Sequence, residues 1–451
     1  MARAITSSFD EKRIAGRRLC RRLVVGAVAL GLLGLAGFAA FAWQPALPEI
    51  ATPAPSSFAL NVVARGAVLA AAGYCSSCHT VPGGQPFGGG YAMKSAFGTI
   101  YSTNISPDRE TGIGAWSKDA FRRAMHEGVA RDGSHLFPAF PYEHFTKISD
   151  DDVDAIYAFI MSQKPVHASA QPNALIPPLG IRALQAGWKL LFFRPGRFKP
   201  SADHDAQWNR GAYLAEALDH CSACHSPRNL LGAERGGAAR YSGAYVDGWF
   251  APPLTAANPS PSPWTSDELH AYLFQGIGQF HGTPAGPMSP AAHSLFVLPQ
   301  ADQNALVRYI ASIGGGDARA GSAAAAKGLA LQINATSAGR QTDPDARFYV
   351  AACASCHYNG TGVINPARPD LALNSAAHLS SPDNLIRVIL FGIDTPEGAP
   401  GLVMPAFGKG FSDADVARLA AYLRRTRTDQ PPWPNLQKTV ADIRAQGKGV
   451  E

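Results

Sequence analysis

The sequence contains the pentapeptide Cys75-Ser76-Ser77-Cys78-His79, and its pattern recurs in Cys221-Ser222-Ala223-Cys224-His225 and Cys353-Ala354-Ser355-Cys356-His357. In each C-x-x-C-H stretch, two cysteines three positions apart can form thioethers to the two vinyl groups of one haem. The imidazole of the next residue can then bind the haem iron from one side. The sequence therefore predicts three covalent haem c sites, with His79, His225 and His357 as axial ligands of iron.

Paired cysteines also occur in zinc sites and in redox dithiols. A shared zinc ion needs two such pairs close together, whereas these stretches lie more than 100 residues apart and each carries its own histidine. Six of the seven cysteines fall in the three stretches, which leaves Cys20 alone. The pattern therefore favours haem over zinc, and Cys20 is expected to be a passive thiol.

The composition indicates a globular protein of several domains. The 451 residues are enough for several cores, each built around a haem. Hydrophobic residues make up 46% and charged residues 16%, which is not typical of a disordered chain. Residues 1–22 hold seven basic and two acidic side chains, a net of +5 out of the total of +6. The nearly neutral remainder excludes nucleic acid as an expected partner.

An uncharged run from Leu23 to Trp43 follows the basic segment 1–22. A helix of this length spans roughly 30 Å, the thickness of a bilayer's hydrocarbon core. The arginines before it predict that residues 1–22 stay in the cytoplasm and that the rest lies in the periplasm, at a bacterial inner membrane. The alternative is a signal peptide cleaved after Ala40-Phe41-Ala42, which gives the same compartment.

Composition divides the rest of the chain into three modules joined by linkers. Apolar stretches before each cysteine pair, and periodic stretches at 300–313 and 412–422, predict opening and closing helices. The expected fold is all-α, with three tandem class I-like cytochrome c domains behind one transmembrane helix at 23–43. The expected ranges are 58–170 for module one, 171–203 for a linker, 204–315 for module two, 316–340 for a second linker, 341–427 for module three and 428–451 for a tail.

Alignment of the modules with one another suggests the sixth ligands of iron. Gly276 and Gly392 occupy matched positions, and a methionine stands twelve residues after each, Met288 and Met404. A thioether opposite the histidine gives His/Met coordination, which raises the reduction potential. Methionines also fill gaps in cores, but only six occur in the chain and two of them share one offset. Met288 and Met404 are therefore predicted to be axial ligands.

Module one departs from this pattern, because Phe140 stands twelve residues after the matched Gly128. Three residues before the glycine, modules two and three have Leu273 and Ile389, whereas module one has Met125. We therefore predict that Met125 is the sixth ligand of the first haem and that phenylalanine fills the space of the missing loop sulfur. The alternatives left open are His135 and His144, more weakly His126 and Met93, and a five-coordinate iron that binds a small molecule.

Two further stretches give the chain a family resemblance: Phe97 to Asp108, FGTIYSTNISPD, and Gly133 to Tyr142, GSHLFPAFPY. With three C-x-x-C-H modules behind an apolar segment, residues 60–425 resemble the triheme cytochrome c subunits of bacterial membrane-bound dehydrogenases for alcohols, aldehydes, gluconate, sorbitol or fructose. The resemblance implies an electron-transfer subunit that serves a separate catalytic subunit of molybdopterin, PQQ or flavin type. It also implies that ubiquinone in the membrane accepts the electrons.

The family pattern has methionine where Phe140 stands. The phenylalanine form resembles the subunits paired with molybdenum hydroxylases, which oxidise aldehydes or nitrogen heteroaromatics with a molybdopterin subunit and an iron–sulfur subunit. This likeness implies an aldehyde or related dehydrogenase as the catalytic partner, accompanied by an iron–sulfur subunit.

The residues themselves favour a conduit for electrons over a catalyst. The sequence contains no nucleotide-binding G-x-G-x-x-G unit, nucleophile elbow or paired-carboxylate site. The main alternative is a catalytic, peroxidase-like cytochrome with an open first haem, and a diffusible electron shuttle is a weaker one. The run Trp188 to Phe193 has two interpretations: contact with the membrane surface beside a quinone pocket, or a strip of core between modules.

Overall fold

A long N-terminal helix precedes the three modules. The computed structural model describes residues 2–338, 343–357, 365–394 and 401–448, and side chains within these ranges except those of 2–20 and 334–338. Helix α1 runs Ala2–Ala42, and its segment Arg21–Ala42 is long and apolar enough to cross a membrane, with a mean hydropathy of 2.3. The side chain of Cys20 lies outside the described residues.

Eighteen further α-helices and five strands follow α1 in the described ranges. Module one and the linker after it contain α2 (Leu60–Ala72), α3 (Cys75–Cys78), β1 (Ala92–Ser95), β2 (Gly98–Tyr101), α4 (Lys118–Glu127), α5 (Tyr142–Phe145), α6 (Asp150–Met161), β3 (Ala174–Leu175) and α7 (Leu184–Phe192). Module two contains α8 (Ala206–Tyr213), which continues as a π-helix (Leu214–Leu218), then α9 (Ser222–His225), β4 (Ala244–Val246), β5 (Trp249–Ala251), α10 (Ser266–Phe274), α11 (Met288–Leu295) and α12 (Gln300–Gly314). The second linker and module three contain α13 (Ser322–Ala338), α14 (Pro344–Ala352), α15 (Ala354–His357), α16 (Ser375–His378), α17 (Asp383–Phe391), α18 (Asp413–Arg427) and α19 (Leu436–Gln446).

In modules one and two, the opening helix crosses the closing helix at a glycine. Gly66 of α2 lies so close to α6 that a Cβ would overlap the main-chain oxygen of Ala155. Gly211 of α8 meets the main-chain oxygen of Ala305 on α12 in the same way. Because only glycine lacks a Cβ, these two positions permit the backbones to approach closely. The same crossing therefore organises both modules.

An arginine one position before each crossing glycine pairs with the closing helix. Arg65 donates to Asp152 at 2.5 Å. Arg210 binds Asp302 with two hydrogen bonds, of 2.8 and 2.7 Å. Asp152 also accepts a hydrogen bond of 2.6 Å from the Tyr213 hydroxyl of module two. The pairs thus join helices within each module, and Asp152 links the two modules.

Module three packs its opening and closing helices without a glycine, since α14 contains none. Here the charges are reversed: Asp345 of α14 accepts hydrogen bonds of 3.0 and 2.9 Å from Arg418 of α18. Modules one and two share a continuous hydrophobic core, which includes Leu69, Ile156 and Leu306, whereas the core of module three is separate. The third module is therefore the most independent unit in the described part of the chain.

The C-terminal segment is part of module three. Residues 428–451 were expected to be a tail, but α19 buries Val440 and Ile443 in the core of that module. The indole of Trp433 is also buried and donates to the Leu379 carbonyl at 3.1 Å. The apolar side chains in this charged segment recur at helical spacing, which accounts for its packing.

The fold is mostly helical, as expected, but it is not all-α, because it contains two small antiparallel sheets. One has the strand order β1-β2-β3, and the other pairs β4 with β5. Asp247 and Gly248 form the two-residue turn between β4 and β5, both with positive φ, at 49° and 77°. This is the Asp-Gly turn that favours hairpins. Asn384 of α17 exchanges two hydrogen bonds of 2.8 Å with the backbone of Phe250, so the hairpin docks module two on module three.

Candidate haem sites

The histidine of each C-x-x-C-H stretch is held by one backbone carbonyl. The Nδ1 atom of His79 lies 2.6 Å from the Thr103 oxygen, that of His225 lies 2.7 Å from the Pro252 oxygen, and that of His357 lies 3.0 Å from the Pro369 oxygen. A carbonyl oxygen can only accept a hydrogen bond, so Nδ1 carries the proton and donates, and Nε2 keeps its lone pair. This is the tautomer that binds a metal through Nε2, and the hydrogen bond also fixes the plane of the ring.

One continuous cavity of about 2720 Å³ joins the three stretches. All six cysteines and all three histidines of the C-x-x-C-H stretches line it: Cys75, Cys78, His79, Cys221, Cys224, His225, Cys353, Cys356 and His357. Burial raises the pKa of the Cys75 and Cys78 thiols to about 12 and that of Cys224 and Cys353 to about 11. Because an apolar site disfavours a thiolate and tolerates an uncharged thioether, the residues fit covalently attached haem.

The predicted sixth ligands of modules two and three lie on the walls of this cavity. Met288 begins α11, at the end of the loop that follows α10. Met404 also lines the cavity, and its backbone forms a bridge with Ile393, with hydrogen bonds of 2.9 and 2.7 Å. Both methionines therefore lie in the same cavity as the histidines, and iron ligation by their sulfurs stays a prediction.

In module one, the cavity is lined by Met125 from α4, which is 4% exposed. The matched residues of the other modules, Leu273 and Ile389, also line it, which agrees with their predicted direction. Phe140 lines the cavity too, and its ring packs against Phe145 with centroids 5.4 Å apart. The structure thus places a sulfur on the helix and a phenyl ring on the loop, as the alignment of the modules predicts.

The two alternative histidines of module one are occupied by protein partners. The Nε2 atom of His135 lies 2.9 Å from the Ala42 carbonyl, and its Nδ1 lies 3.1 Å from the ammonium of Lys189. The ring nitrogens of His144 face two oxygen acceptors, the Glu216 carbonyl at 3.1 Å and the Glu234 carboxylate at 3.0 Å. Both imidazoles thus have partners within the protein, and of the two His144 lines the cavity, as Met125 does. The sixth ligand of the first haem stays a prediction.

A buried pair that sequence reasoning missed holds the loop before Met288. Glu268 accepts hydrogen bonds from the backbone of residues 279–281 and from the Nδ1 atom of His281 at 2.8 Å. Trp264 stacks on the same imidazole with ring centroids 3.7 Å apart. Burial alone would raise the pKa of Glu268, but the hydrogen bond and charge of His281 outweigh it and lower the pKa. No local motif marks the pair, because its partners are brought together by the loop.

Asp219 is a second residue without a sequence signal. It lies two positions before Cys221 and lines the cavity. Burial raises the pKa of its carboxyl well above the ordinary value. Neither side-chain oxygen has a hydrogen-bond partner among the described residues. Since buried polar groups are rarely left unpaired, the Asp219 carboxyl could bond to a polar group of a cofactor held in the cavity.

Comparison with known protein families agrees with these features. The family model for cytochrome c matches residues 63–164, and the model for cytochrome c oxidase, cbb3-type, subunit III matches residues 340–423. The crossing helices, the paired cysteines and the oriented imidazoles thus define a c-type cytochrome that carries haem c.

Similar proteins of known function identify the family to which the chain belongs. The chain is 45% identical to a nicotinate dehydrogenase subunit of Pseudomonas putida over 92% of its own length, but it spans only 34% of that longer protein. It is 35% identical to the fructose dehydrogenase cytochrome subunit of Gluconobacter japonicus, over 88% of this chain and 86% of that subunit. It is 32% identical to the cytochrome c subunit of the alcohol dehydrogenase (quinone) of Gluconobacter oxydans, over 86% and 83%. The chain therefore belongs to the family of cytochrome c subunits of bacterial dehydrogenases, which confirms the resemblance noted in its sequence.

Proposed function

We propose that the chain carries three haems c and conducts electrons from a dehydrogenase to ubiquinone in the membrane. The observation that supports this proposal is the single cavity onto which all three C-x-x-C-H stretches open. Haems attached at these stretches would therefore occupy one connected space. The cytochrome c domains are proposed at 58–170, 204–315 and 341–427, as the sequence predicts, with α19 and the segment before it packed on the third.

The residues of the chain would attach and orient the cofactor. Six cysteines would form the thioethers, and the three histidines would bind iron through Nε2, with ring planes fixed by carbonyls. Met125, Met288 and Met404 would supply sulfur on the opposite face. When bound, haem c supplies an iron that gains and loses one electron at a time, and two axial protein ligands leave no position for a substrate.

The proposed catalytic partner is a molybdopterin enzyme that oxidises a nitrogen heteroaromatic or an aldehyde. The 45% identity to the nicotinate dehydrogenase subunit supports it, as does Phe140 in place of methionine. An iron–sulfur subunit would accompany that partner. Helix α1 would anchor the chain in the inner membrane with its haem modules in the periplasm, since the basic segment 1–22 precedes the span.

Haem stoichiometry tests the number of sites. The purified chain is expected to contain three haems, and the pair Cys221→Ser/Cys224→Ser is expected to contain two. Cys20→Ala is the matched control, because Cys20 belongs to none of the C-x-x-C-H stretches, and it should retain three. A wild-type ratio of two, or a ratio unchanged by the paired substitution, contradicts the proposal.

Electron delivery tests the function itself. The chain purified with its native partner should reduce a soluble ubiquinone analogue when nicotinate or an aldehyde is added. Stoichiometric binding of carbon monoxide to one reduced haem of the wild-type protein, together with turnover of peroxide, would instead identify a catalytic cytochrome with an open first haem.

A further inference from the structure

Helix α7, in the first linker, has one face fixed to module one. Gln185, Ala186 and Lys189 are buried on this face. The Lys189 ammonium donates to the carbonyls of Glu127 and Gly128, at 2.6 and 2.7 Å, and so caps the C-terminal end of α4. The helix therefore has a fixed orientation on the protein.

The other face of α7 is apolar and exposed. Leu184, Leu190 and Leu191 are 37%, 64% and 59% exposed, and Ile181 just before the helix is 55% exposed. Residues 184, 187 and 191 lie at helical spacing and therefore share one side of the helix. Large apolar side chains clustered at this exposure mark a surface that another apolar phase covers.

The contact of α7 with helix α1 indicates that this apolar phase is lipid. A Cβ on Gly187 would lie 3.5 Å from the ring of Phe38, so the exposed face of α7 is the face that meets α1. Phe38 is four residues before the end of α1 at Ala42, about 6 Å along the helix axis. It belongs to the apolar segment Arg21–Ala42. Lipid that surrounds Phe38 therefore also reaches the adjoining leucines of α7.

The junction between α1 and module one fixes this arrangement. The carbonyl of Ala42 binds His135, whose other ring nitrogen binds Lys189 of α7. Further along, the backbone of Leu47 donates to the Arg131 carbonyl at 2.8 Å. The end of α1 and the buried face of α7 are thus held by the same histidine.

The charges around α7 suit the surface of a bilayer. Between Leu175 and Lys199 the sequence has four basic residues besides the buried Lys189, and no acidic one. Arg194 follows the helix and donates to the carbonyls of Leu191 and Phe193, at 3.1 and 2.9 Å. Trp43, just after α1, is 70% exposed. Basic and tryptophan side chains beside an apolar face are typical of helices that lie in the headgroup region.

We propose that α7 lies in the periplasmic surface of the membrane, with Leu184, Leu190 and Leu191 in lipid, and holds module one against the bilayer. This inference rests on the proposed transmembrane role of α1. Gln185 and Trp188 of α7 line the haem cavity, so the helix forms a wall between that cavity and the lipid.

Photolabelling of the full-length holoprotein tests the inference. The protein is placed in nanodiscs of phosphatidylcholine and phosphatidylglycerol that contain a phospholipid with a diazirine high in its acyl chain. After irradiation, peptide mapping by mass spectrometry is expected to find label in residues 183–193 as well as in α1. Val297 and Val403 are the internal controls, because they are 50% and 64% exposed and far from α1 in sequence, and they should stay unlabelled.

The double variant Leu190→Glu/Leu191→Glu sharpens the test. Label in residues 183–193 is expected to fall at least fivefold, while label in α1 and the haem spectrum stay unchanged. If α1 of the wild-type protein is labelled and α7 is not, the inference about α7 is wrong but the proposed anchor stands. Absence of label from both helices overturns the proposed anchor as well. Loss of α7 label when the catalytic partner is bound would assign this face to the partner and overturn contact with lipid.

Discussion

Modules one and two share a scaffold and differ in the position of one sulfur. Both cross their helices at a glycine, pair an arginine with the closing helix, and orient the histidine of the C-x-x-C-H stretch with a carbonyl. Module two places Met288 at the first residue of α11, directly after a loop, whereas module one places Met125 within α4 and a phenyl ring on the loop. The comparison indicates that the scaffold fixes the histidine side, while the opposite side can change without repacking the crossing.

The largest expected effect comes from breaking the shared crossing. Gly66→Ala or Gly211→Ala inserts a methyl group against a backbone oxygen that cannot move independently. We expect destabilisation of about 3 kcal/mol or more, because the two helices must separate. Thermal unfolding and the haem content of the purified chain measure the effect.

Gly328→Ala is the matched control for this substitution. Gly328 lies in α13, with nothing within 4 Å of a new Cβ. Alanine there should stabilise the helix by about 1 kcal/mol. Equal behaviour of Gly66→Ala and Gly328→Ala would show that the close crossing does not carry the fold.

The second prediction concerns the sulfur itself. Met125→Leu and Met288→Leu each conserve volume, so we expect a stability loss below about 1.5 kcal/mol. Each should nevertheless remove one of three His/Met haems, because leucine has no lone pair for iron. Near-infrared magnetic circular dichroism of the oxidised protein should lose about a third of the charge-transfer band that is characteristic of His/Met ligation. An unchanged spectrum of Met125→Leu refutes the helix ligand.

A rescue variant distinguishes ligation from packing. In the Met125→Leu background, Phe140→Met places a sulfur at the position that Met288 occupies in module two. We expect the lost band to return, because the scaffold around both sites is the same. Recovery in this double variant, with none in Met125→Leu/Phe140→Leu, would show that the two modules are interchangeable on this side.

The third prediction is that a change in the loop before Met288 affects the haem of module two and not that of module one. Glu268→Gln removes the charge from a buried pair that holds the loop before Met288. We expect a loss of about 3 kcal/mol, since His281 keeps a weakened partner. The near-infrared band should weaken by up to about a third, as expected for Met288→Leu, and adding Met125→Leu should remove a further third. The neighbouring Asp267 is exposed, so Asp267→Asn should leave the band unchanged.

The candidate site can be predicted from the sequence because C-x-x-C-H is a local pattern. C-x-x-C-H needs neighbours in sequence, and the offsets of Met288 and Met404 became visible once the modules were aligned. The position of Met125 in the cavity follows from the same alignment. The closing helices were also found, because their apolar residues recur at helical spacing and acidic residues mark their first turns.

The features that were missed depend on contacts between distant residues. Glu268 and His281 form a pair only through a loop, and His144 meets Glu234 only because two modules share one core. The β4–β5 hairpin did carry a signal in Asp247-Gly248, which the expectation of an all-α fold overlooked. The packing of α19 depends on a core that the rest of module three supplies.

The fourth prediction, with the smallest expected effect, concerns the hydrogen bond between His144 of module one and Glu234 of module two. Burial would raise the pKa of Glu234, but its hydrogen bond to His144 and the nearby charges outweigh burial and lower that pKa from the ordinary 4.5 to about 2. A lowered carboxyl pKa stabilises the folded state above pH 4.5, and this contribution disappears as the pH falls towards 2. The shift is worth at most about 3 kcal/mol, and we expect less because 14% of the side chain is exposed. Glu234→Gln should therefore lower stability at pH 6 and flatten its decline between pH 4.5 and 2, as measured by urea unfolding. Glu110→Gln, at a side chain that is 80% exposed, should retain the wild-type decline; if Glu234→Gln retains it as well, the pair does not hold the two modules together.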